Sequence, residues 1–231
     1  GSKGLTKDLC AKYLIPTAEY ARFDEPDSAK EYIRVKGAPI VVKADGLAAG
    51  KGVVIAESQQ QADATLTDML SGAALGGAGS RVVIEEFLQG EEASFIVVAS
   101  DRCAVEFASS QDHKAAHDGD TGPNTGGMGA YSPAPVVTDT VRERILGEVI
   151  QPTLAGLAAD GLPFTGFLYA GVMIDASGAP KVLEFNCRMG DPETQPLLMR
   201  LRSDLLELLD AAVDQSLDEV APEGDQRPCL G

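Results

Sequence analysis

Four side chains carry types and spacings suited to holding a triphosphate and its metal. Lys43 closes the apolar run Ile40-Val41-Val42, and Lys51 lies in the small-residue stretch Gly46-Leu47-Ala48-Ala49-Gly50-Lys51-Gly52. Glu184 and Asn186 alternate in Lys181-Val182-Leu183-Glu184-Phe185-Asn186-Cys187-Arg188. Lysines serve phosphate oxygens as point charges. A carboxylate and an amide oxygen two positions apart are hard ligands for a small divalent cation, which takes its other ligands from phosphates and water.

Both lysines need a strand–loop–strand to position them. Residues 39–45 and 53–56 are β-branched runs too short for helices, and the glycines between them let backbone approach an anion. Together they predict a lid hairpin. It is not a Walker A loop: Asp45 stands where the first glycine belongs, Gly52 replaces the hydroxyl residue, and a strand rather than a helix follows. A solvent-exposed glycine hairpin with incidental lysines has the same composition.

Strand alternation places Glu184 and Asn186 on one face and Leu183, Phe185 and Cys187 on the other, packed on a core. Arg188 follows with a guanidinium suited to phosphate or carboxylate. A strand whose polar face meets only solvent would read alike. Between the two motifs lies Glu85-Glu86-Phe87-Leu88-Gln89-Gly90-Glu91-Glu92, read as a hinge between two subdomains. Backbone groups near Phe87 and Leu88 suit an adenine edge, and a carboxylate a few residues on suits ribose hydroxyls; simple surface charge is the alternative.

The remaining pattern supplies the frame. Thr6 predicts a capped helix over 7–14, and Asp27-Ser28 one running to about residue 36. Further helices are expected over 59–70, 138–160, 194–200 and 203–217, with strands over 81–86, 92–100, 102–107, 164–174 and 181–187. Residues 109–135 hold five glycines and three prolines with almost no apolar periodicity, a length and composition that suit a binding loop. The class is α+β. Residues 1–16 read as a lead-in helix, 17–88 as a lid subdomain, 89–217 as a metal and substrate subdomain, and 218–231 as a tail or linker.

Composition narrows the function. The formal net charge of −16 over 231 residues argues against nucleic acid and anionic membranes as partners, and no apolar run approaches the roughly 20 residues of a membrane span. Cys10, Cys103, Cys187 and Cys229 show no paired spacing and read as reduced thiols of a cytoplasmic protein. His113 and His117, four apart with no nearby cysteine, read as a polar loop rather than a zinc site.

A lysine-ended strand, a Gly-Lys-Gly hairpin, the Glu-x-Phe-Leu-x-Gly-x-Glu segment and a Glu-x-Asn strand, in this order, resemble the ATP-grasp ligases. The segments Ser110-Gln-Asp-His-Lys114, 120–133 and 184–196 resemble most the members that join glycine to 5-phosphoribosylamine. The resemblance implies two α+β subdomains with nucleotide in the cleft between them, and ATP with Mg2+ or Mn2+ as cofactors. It implies a glycyl phosphate formed from ATP and glycine, then attack by the amine to give glycinamide ribonucleotide, ADP and phosphate in purine biosynthesis. By the same resemblance Lys43, Gly50, Lys51 and Gly52 bind phosphates, Glu85, Phe87 and Leu88 adenine, and Glu92 ribose. Glu184 and Asn186 ligate the metal, and Lys51, Lys114 and Arg188 act on the transferring phosphate. Asp120, Asn124, Gly126, Gly127, Met128, Asp191 and Glu193 serve the substrates. Two departures stand out. The strand Leu168-Tyr169-Ala170-Gly171-Val172 lacks the acidic ligand many such enzymes place there. The family enzyme also has amino- and carboxy-terminal domains outside this stretch, so the chain reads as a fragment. Another ATP-grasp carboxylate–amine ligase of purine synthesis, or an ATP-binding module without turnover, are the alternatives. No residue is singled out as general base.

Overall fold

A computed structural model describes residues 2–46, 52–71, 79–101, 103–118, 121–125 and 127–231, with 115, 121, 123 and 124 described in their backbone alone. The chain divides into two units, Gly1–Asp8 with Thr17–Leu88 and Leu9–Pro16 with Gln89–Gly231. Helix α1 (Lys3–Lys12) contributes to both. It begins four residues before the expected start, because Ser2 rather than Thr6 caps it: Leu5 N–H donates to Ser2 Oγ at 3.1 Å. Leu14 takes a left-handed conformation (φ 56°) just beyond its end.

The first unit is a four-stranded antiparallel sheet in the order β1 (Tyr20–Phe23), β4 (Val82–Glu86), β2 (Ile40–Ala44), β3 (Val53–Ala56). Alternation sends Ile40, Val42, Ala44, Val82 and Ile84 into one core with Ile33 of α2 (Pro26–Lys36) and Leu66 of α3 (Gln59–Leu70). The intervening positions, Val41, Lys43, Val83 and Glu85, therefore face the other way. Helix α2 starts at Pro26, ahead of the expected Asp27-Ser28 cap, since proline lacks only an N–H the first turn leaves unused. Gly37 (φ 82°) ends it.

In the second unit β12 (Pro180–Asn186), β11 (Thr165–Ile174), β5 (Glu91–Ser100) and β6 (Cys103–Glu106) form an antiparallel sheet in that order. One face packs Phe95, Val97, Leu168, Ala170 and Val172 against a long helical stretch. Thr138 caps that stretch through Val141 N–H, but it is not one α-helix. Helix α4 (Asp139–Arg144) passes into a π-helical segment, Ile145–Ile150, before α5 (Gln151–Ala159). Pro152 has no N–H for the Glu148 carbonyl, and the chain ahead of it takes wider bonds such as Gln151 N–H to Leu146 O. On the opposite face Ile96, Val98 and Tyr169 pack with Leu197 of α6 (Thr194–Arg200) and Leu208 of α7 (Leu205–Val213).

Three expectations change in this unit. First, a bulge in β12 lets Gly171 pair with Glu184 and Val172 with Val182. The extra residue, Leu183, drops out of the alternation, so Val182 and Phe185 share the core face in place of Leu183 and Phe185; Cys187 is exposed. Second, the 109–135 segment is pinned. It contains β7 (Gln111–Asp112), β8 (Ala115–His117), β9 (Thr121–Asn124) and β10 (Ala130–Ser132). Third, residues 218–231, read as a tail, end in β13 (Cys229–Leu230), which pairs with β10, and Gly231 exchanges backbone bonds with Ala130.

Candidate functional site

In the first unit the site residues lie on the sheet face turned away from the core. Val41 pairs with Glu85 across β2 and β4, so Lys43, two positions on, is the diagonal neighbour of Glu85. Lys43 Nζ lies 2.9 Å from Glu85 Oε2, and both side chains are nearly buried, 10% and 2% exposed. Lys7 Nζ reaches the same oxygen at 3.0 Å. The start of α1 also tethers the end of β2: Gly4 N–H and Ser2 Oγ donate to Asp45 Oδ1 at 2.7 and 2.8 Å. Burial works to raise the Asp45 carboxyl, but these bonds outweigh it and its pKa is lowered. Lys3 Nζ donates to the carbonyls of Ala44 and Gly46. Gly52 closes the hairpin by accepting from Ala44 N–H at 2.8 Å. Phe87 and Leu88 follow β4 and end the unit. Gly50 and Lys51 lie outside the described residues.

In the second unit α6 and α7 cover only part of the β5–β11–β12 face. The rest presents a row across three strands: Ser94 pairs with Gly171, and Gly171 with Glu184. Tyr169 pairs with Asn186 on the same face, two residues along. Glu184 is exposed and Asn186 half-buried. Glu92, two residues before Ser94, accepts a hydrogen bond from Lys114 Nζ at 2.7 Å, with Asp112 Oδ1 3.8 Å from that ammonium. Ser94 donates to Glu193 Oε1 at 2.7 Å and lies 2.9 Å from the Tyr169 hydroxyl. The one serine proton goes to Glu193, so Tyr169 donates to Ser94.

Electrostatics follow from this crowding. Burial, then the carboxylates of Glu193, Glu92 and Glu184, push Asp112 up to about 6, against the opposing pull of Lys114. For Lys114 burial favours the neutral form, but Glu92, Tyr169 and Asp112 win and its pKa rises. Burial raises Tyr169. Among the described residues no three His, Cys, Asp or Glu side chains gather as a ready-made metal cage. Glu184 and Asn186 still fit a magnesium-type ion, which takes few protein ligands and fills the rest with phosphate and water oxygens.

Other expected site residues fall differently. Arg188 is exposed, donates to its neighbour's carbonyl, Met189 O, and forms no ion pair among the described residues. Asp191 is exposed and Glu193 buried. Gly127 (φ 124°) packs so closely on Pro192 that a Cβ there would stand 2.5 Å from its Cδ. Met128 is exposed, with its N–H on His113 O. The backbone of Asn124 pairs with Ala115; Asp120 and Gly126 lie outside the described residues. Sequence reasoning missed Lys7, Ser94, Asp112 and Tyr169. Ser94 and Tyr169 carried a usable signal, as polar groups in apolar strands; Lys7 carried none.

The family model for the phosphoribosylglycinamide synthetase ATP-grasp (A) domain matches residues 1–194. The phosphoribosylamine–glycine ligase of Vibrio cholerae is 62% identical over 231 residues, all of this chain and 54% of that protein. That of Allochromatium vinosum is 63% identical with the same coverage. The crystal structure of phosphoribosylamine–glycine ligase from Thermotoga maritima superposes with a TM-score of 0.88 at 36% identity, covering 100% of this chain and 57% of that one. N5-carboxyaminoimidazole synthase of Aspergillus clavatus, solved with ADP and 5-aminoimidazole ribonucleotide, has a TM-score of 0.71 at 17% identity over 99% and 55% of the two chains, a likeness of fold alone. The chain thus spans about half the length of the curated relatives it matches.

Proposed function

Because the chain belongs to the phosphoribosylglycinamide synthetase ATP-grasp (A) domain family, we propose that it binds Mg–ATP and activates glycine for ligation to 5-phosphoribosylamine. The products are glycinamide ribonucleotide, ADP and phosphate, a step of purine biosynthesis in the cytoplasm. A carboxylate attacking a triphosphate brings two anions together, so fixed cations must hold both. In the first unit Lys43 and Lys51 bind phosphate oxygens, and Glu85, Phe87 and Leu88 hold adenine. In the second Glu92 takes the ribose and Lys114 orients an anionic substrate group. Glu184 and Asn186 hold magnesium or manganese, which when bound neutralises charge on the phosphates. Glu193 fixes the segment before α6, from which Arg188 and Asp191 reach the substrates together with residues 120–128.

The observation that supports this reading most is the polar row on the second unit's sheet. There a lysine paired at 2.7 Å with Glu92 shares the face with Glu184 and Asn186, the mixture of cation and hard oxygen donors that Mg–ATP and a carboxylate require. The test is titration of the chain with Mg–ATP, followed by a coupled assay of ADP release with and without glycine. Saturable binding with glycine-dependent release is expected. Release driven by a different carboxylate would assign another ligase of the same fold, and absence of ATP binding would overturn the proposal.

A further inference from the structure

Two ammonium groups converge on one buried oxygen in the first unit. Glu85 Oε2 lies 3.0 Å from Lys7 Nζ and 2.9 Å from Lys43 Nζ. The other oxygen, Oε1, is buried without a hydrogen-bond partner among the described residues. Lys7 is 1% exposed, donates to Thr17 Oγ1 at 2.6 Å and sits 5.9 Å from the centre of the Tyr20 ring. It is walled in and cannot itself touch a ligand. Lys43, at 10%, is the least enclosed of the three.

The charges then decide what Lys43 can do. Lys43 and Glu85 alone would make a neutral pair, with little attraction left for an anion. Lys7 supplies a second cation to the same carboxylate, so the triad carries +1. We propose that Lys7 is a positioning residue for nucleotide phosphate: it neutralises and fixes Glu85, leaving the net positive charge at Lys43. The same two contacts on Oε2 hold Oε1 as the acceptor for a donor group of the ligand. The geometry makes this an electrostatic role exercised through Glu85, at a distance from the ligand. It rests on the reading of the first unit as nucleotide-binding.

The experiment compares ATP with adenosine, which lacks phosphate, on the chain as it stands. Dissociation constants for both are measured by calorimetry for the wild type, Lys7→Met and the double variant Lys7→Met/Glu85→Gln, with thermal melts to check folding. Lys7→Met should weaken ATP at least tenfold and adenosine less than about twofold. The double variant, again at +1, should bring the preference for ATP over adenosine back to within about threefold of wild type, with adenosine alone registering any loss at the adenine contact of Glu85. It also serves if Lys7→Met fails to fold, since it removes both charges at once. Equal losses for ATP and adenosine in Lys7→Met would make Lys7 a purely structural residue and overturn the inference while leaving nucleotide binding intact. So would a folded double variant whose preference for ATP over adenosine is no better than that of Lys7→Met or, where Lys7→Met does not fold, falls more than tenfold below that of wild type. A wild-type chain that binds neither ligand would overturn this inference and the proposed function together.

Discussion

Ser94 and Glu193, 99 positions apart in the chain, share a 2.7 Å hydrogen bond in the interior of the second unit. Ser94 belongs to a central strand of the sheet, and Glu193 immediately precedes α6. The bond fastens the segment carrying Arg188 and Asp191 to the strand that carries Glu92. Tyr169 completes it from the next strand, so a single serine joins three separate parts of the fold.

Replacing that serine breaks both bonds. Ser94→Ala leaves a buried carboxylate and a buried phenol with no partner, a loss of about 1–3 kcal/mol for each group left unsatisfied. Urea denaturation should show a lower midpoint with an unchanged slope. A change below about 0.5 kcal/mol would mean Glu193 finds another donor.

Gly190 is required by Glu193. A Cβ at residue 190 would stand 2.3 Å from Glu193 Oε2 and 3.0 Å from its Cβ. The carboxylate is held by Ser94 and cannot swing away without losing that bond. Gly190→Ala should destabilise the chain by about 1–3 kcal/mol, the usual range for overpacking. In the Ser94→Ala background, where the carboxylate is released, its additional cost should shrink. Full additivity of the two changes would show that the two residues act independently.

Asp112 sets a pH dependence. Its carboxyl titrates near 6 in the folded chain against an ordinary 3.8, so folding favours the protonated form. The sign follows from linkage: the stability contributed by protonated Asp112 is full below about pH 3.8 and is lost as pH rises through 6. Asp112→Asn, neutral throughout, should therefore raise the melting temperature relative to wild type at pH 8. The advantage should fade as pH falls from 7 towards 4. Melting curves at several pH values give the test, and an advantage that grows on acidification would have the wrong sign.

The proposed function gives Glu184 a role as metal ligand. Glu184→Ala should weaken Mg–ATP binding far more than binding of metal-free ATP, because only the former uses the carboxylate. Calorimetric titrations with and without magnesium separate the two. Equal Mg–ATP affinities in variant and parent would remove Glu184 from that role.

The chain alone should bind Mg–ATP yet make little glycinamide ribonucleotide. It matches about 54% of the length of its relatives, and the amine must be held in line with the activated glycine. Such positioning can supply on the order of 7–11 kcal/mol of a barrier in the best cases. Product formation, with phosphoribosylamine generated in situ, is compared with a full-length relative. A turnover within about tenfold, only 1.4 kcal/mol apart, would show that the matched half suffices.

Much of this was legible in the sequence because it depends on local spacing. Period-two alternation put Glu184 and Asn186 together on one face of β12. An apolar run located β11, and apolar residues at helical spacing located α3. The motif from Ser110 to Lys114 helped mark the chain's family. Alternation failed at Leu183, since a bulge is settled by how two strands pair and leaves no mark on one of them. The π-helical segment before Pro152 escaped for a similar reason, as periodicity alone does not distinguish i→i+4 from i→i+5 bonding. Tertiary structure decided the rest: that Lys7 meets Glu85 across 78 positions, that Lys114 pairs with Glu92, and that Ser94 holds Glu193. Those contacts join residues far apart in the chain. Their strength comes from burial, which folding alone creates: a carboxylate that would be ordinary in water becomes, once enclosed, a group that must find a partner.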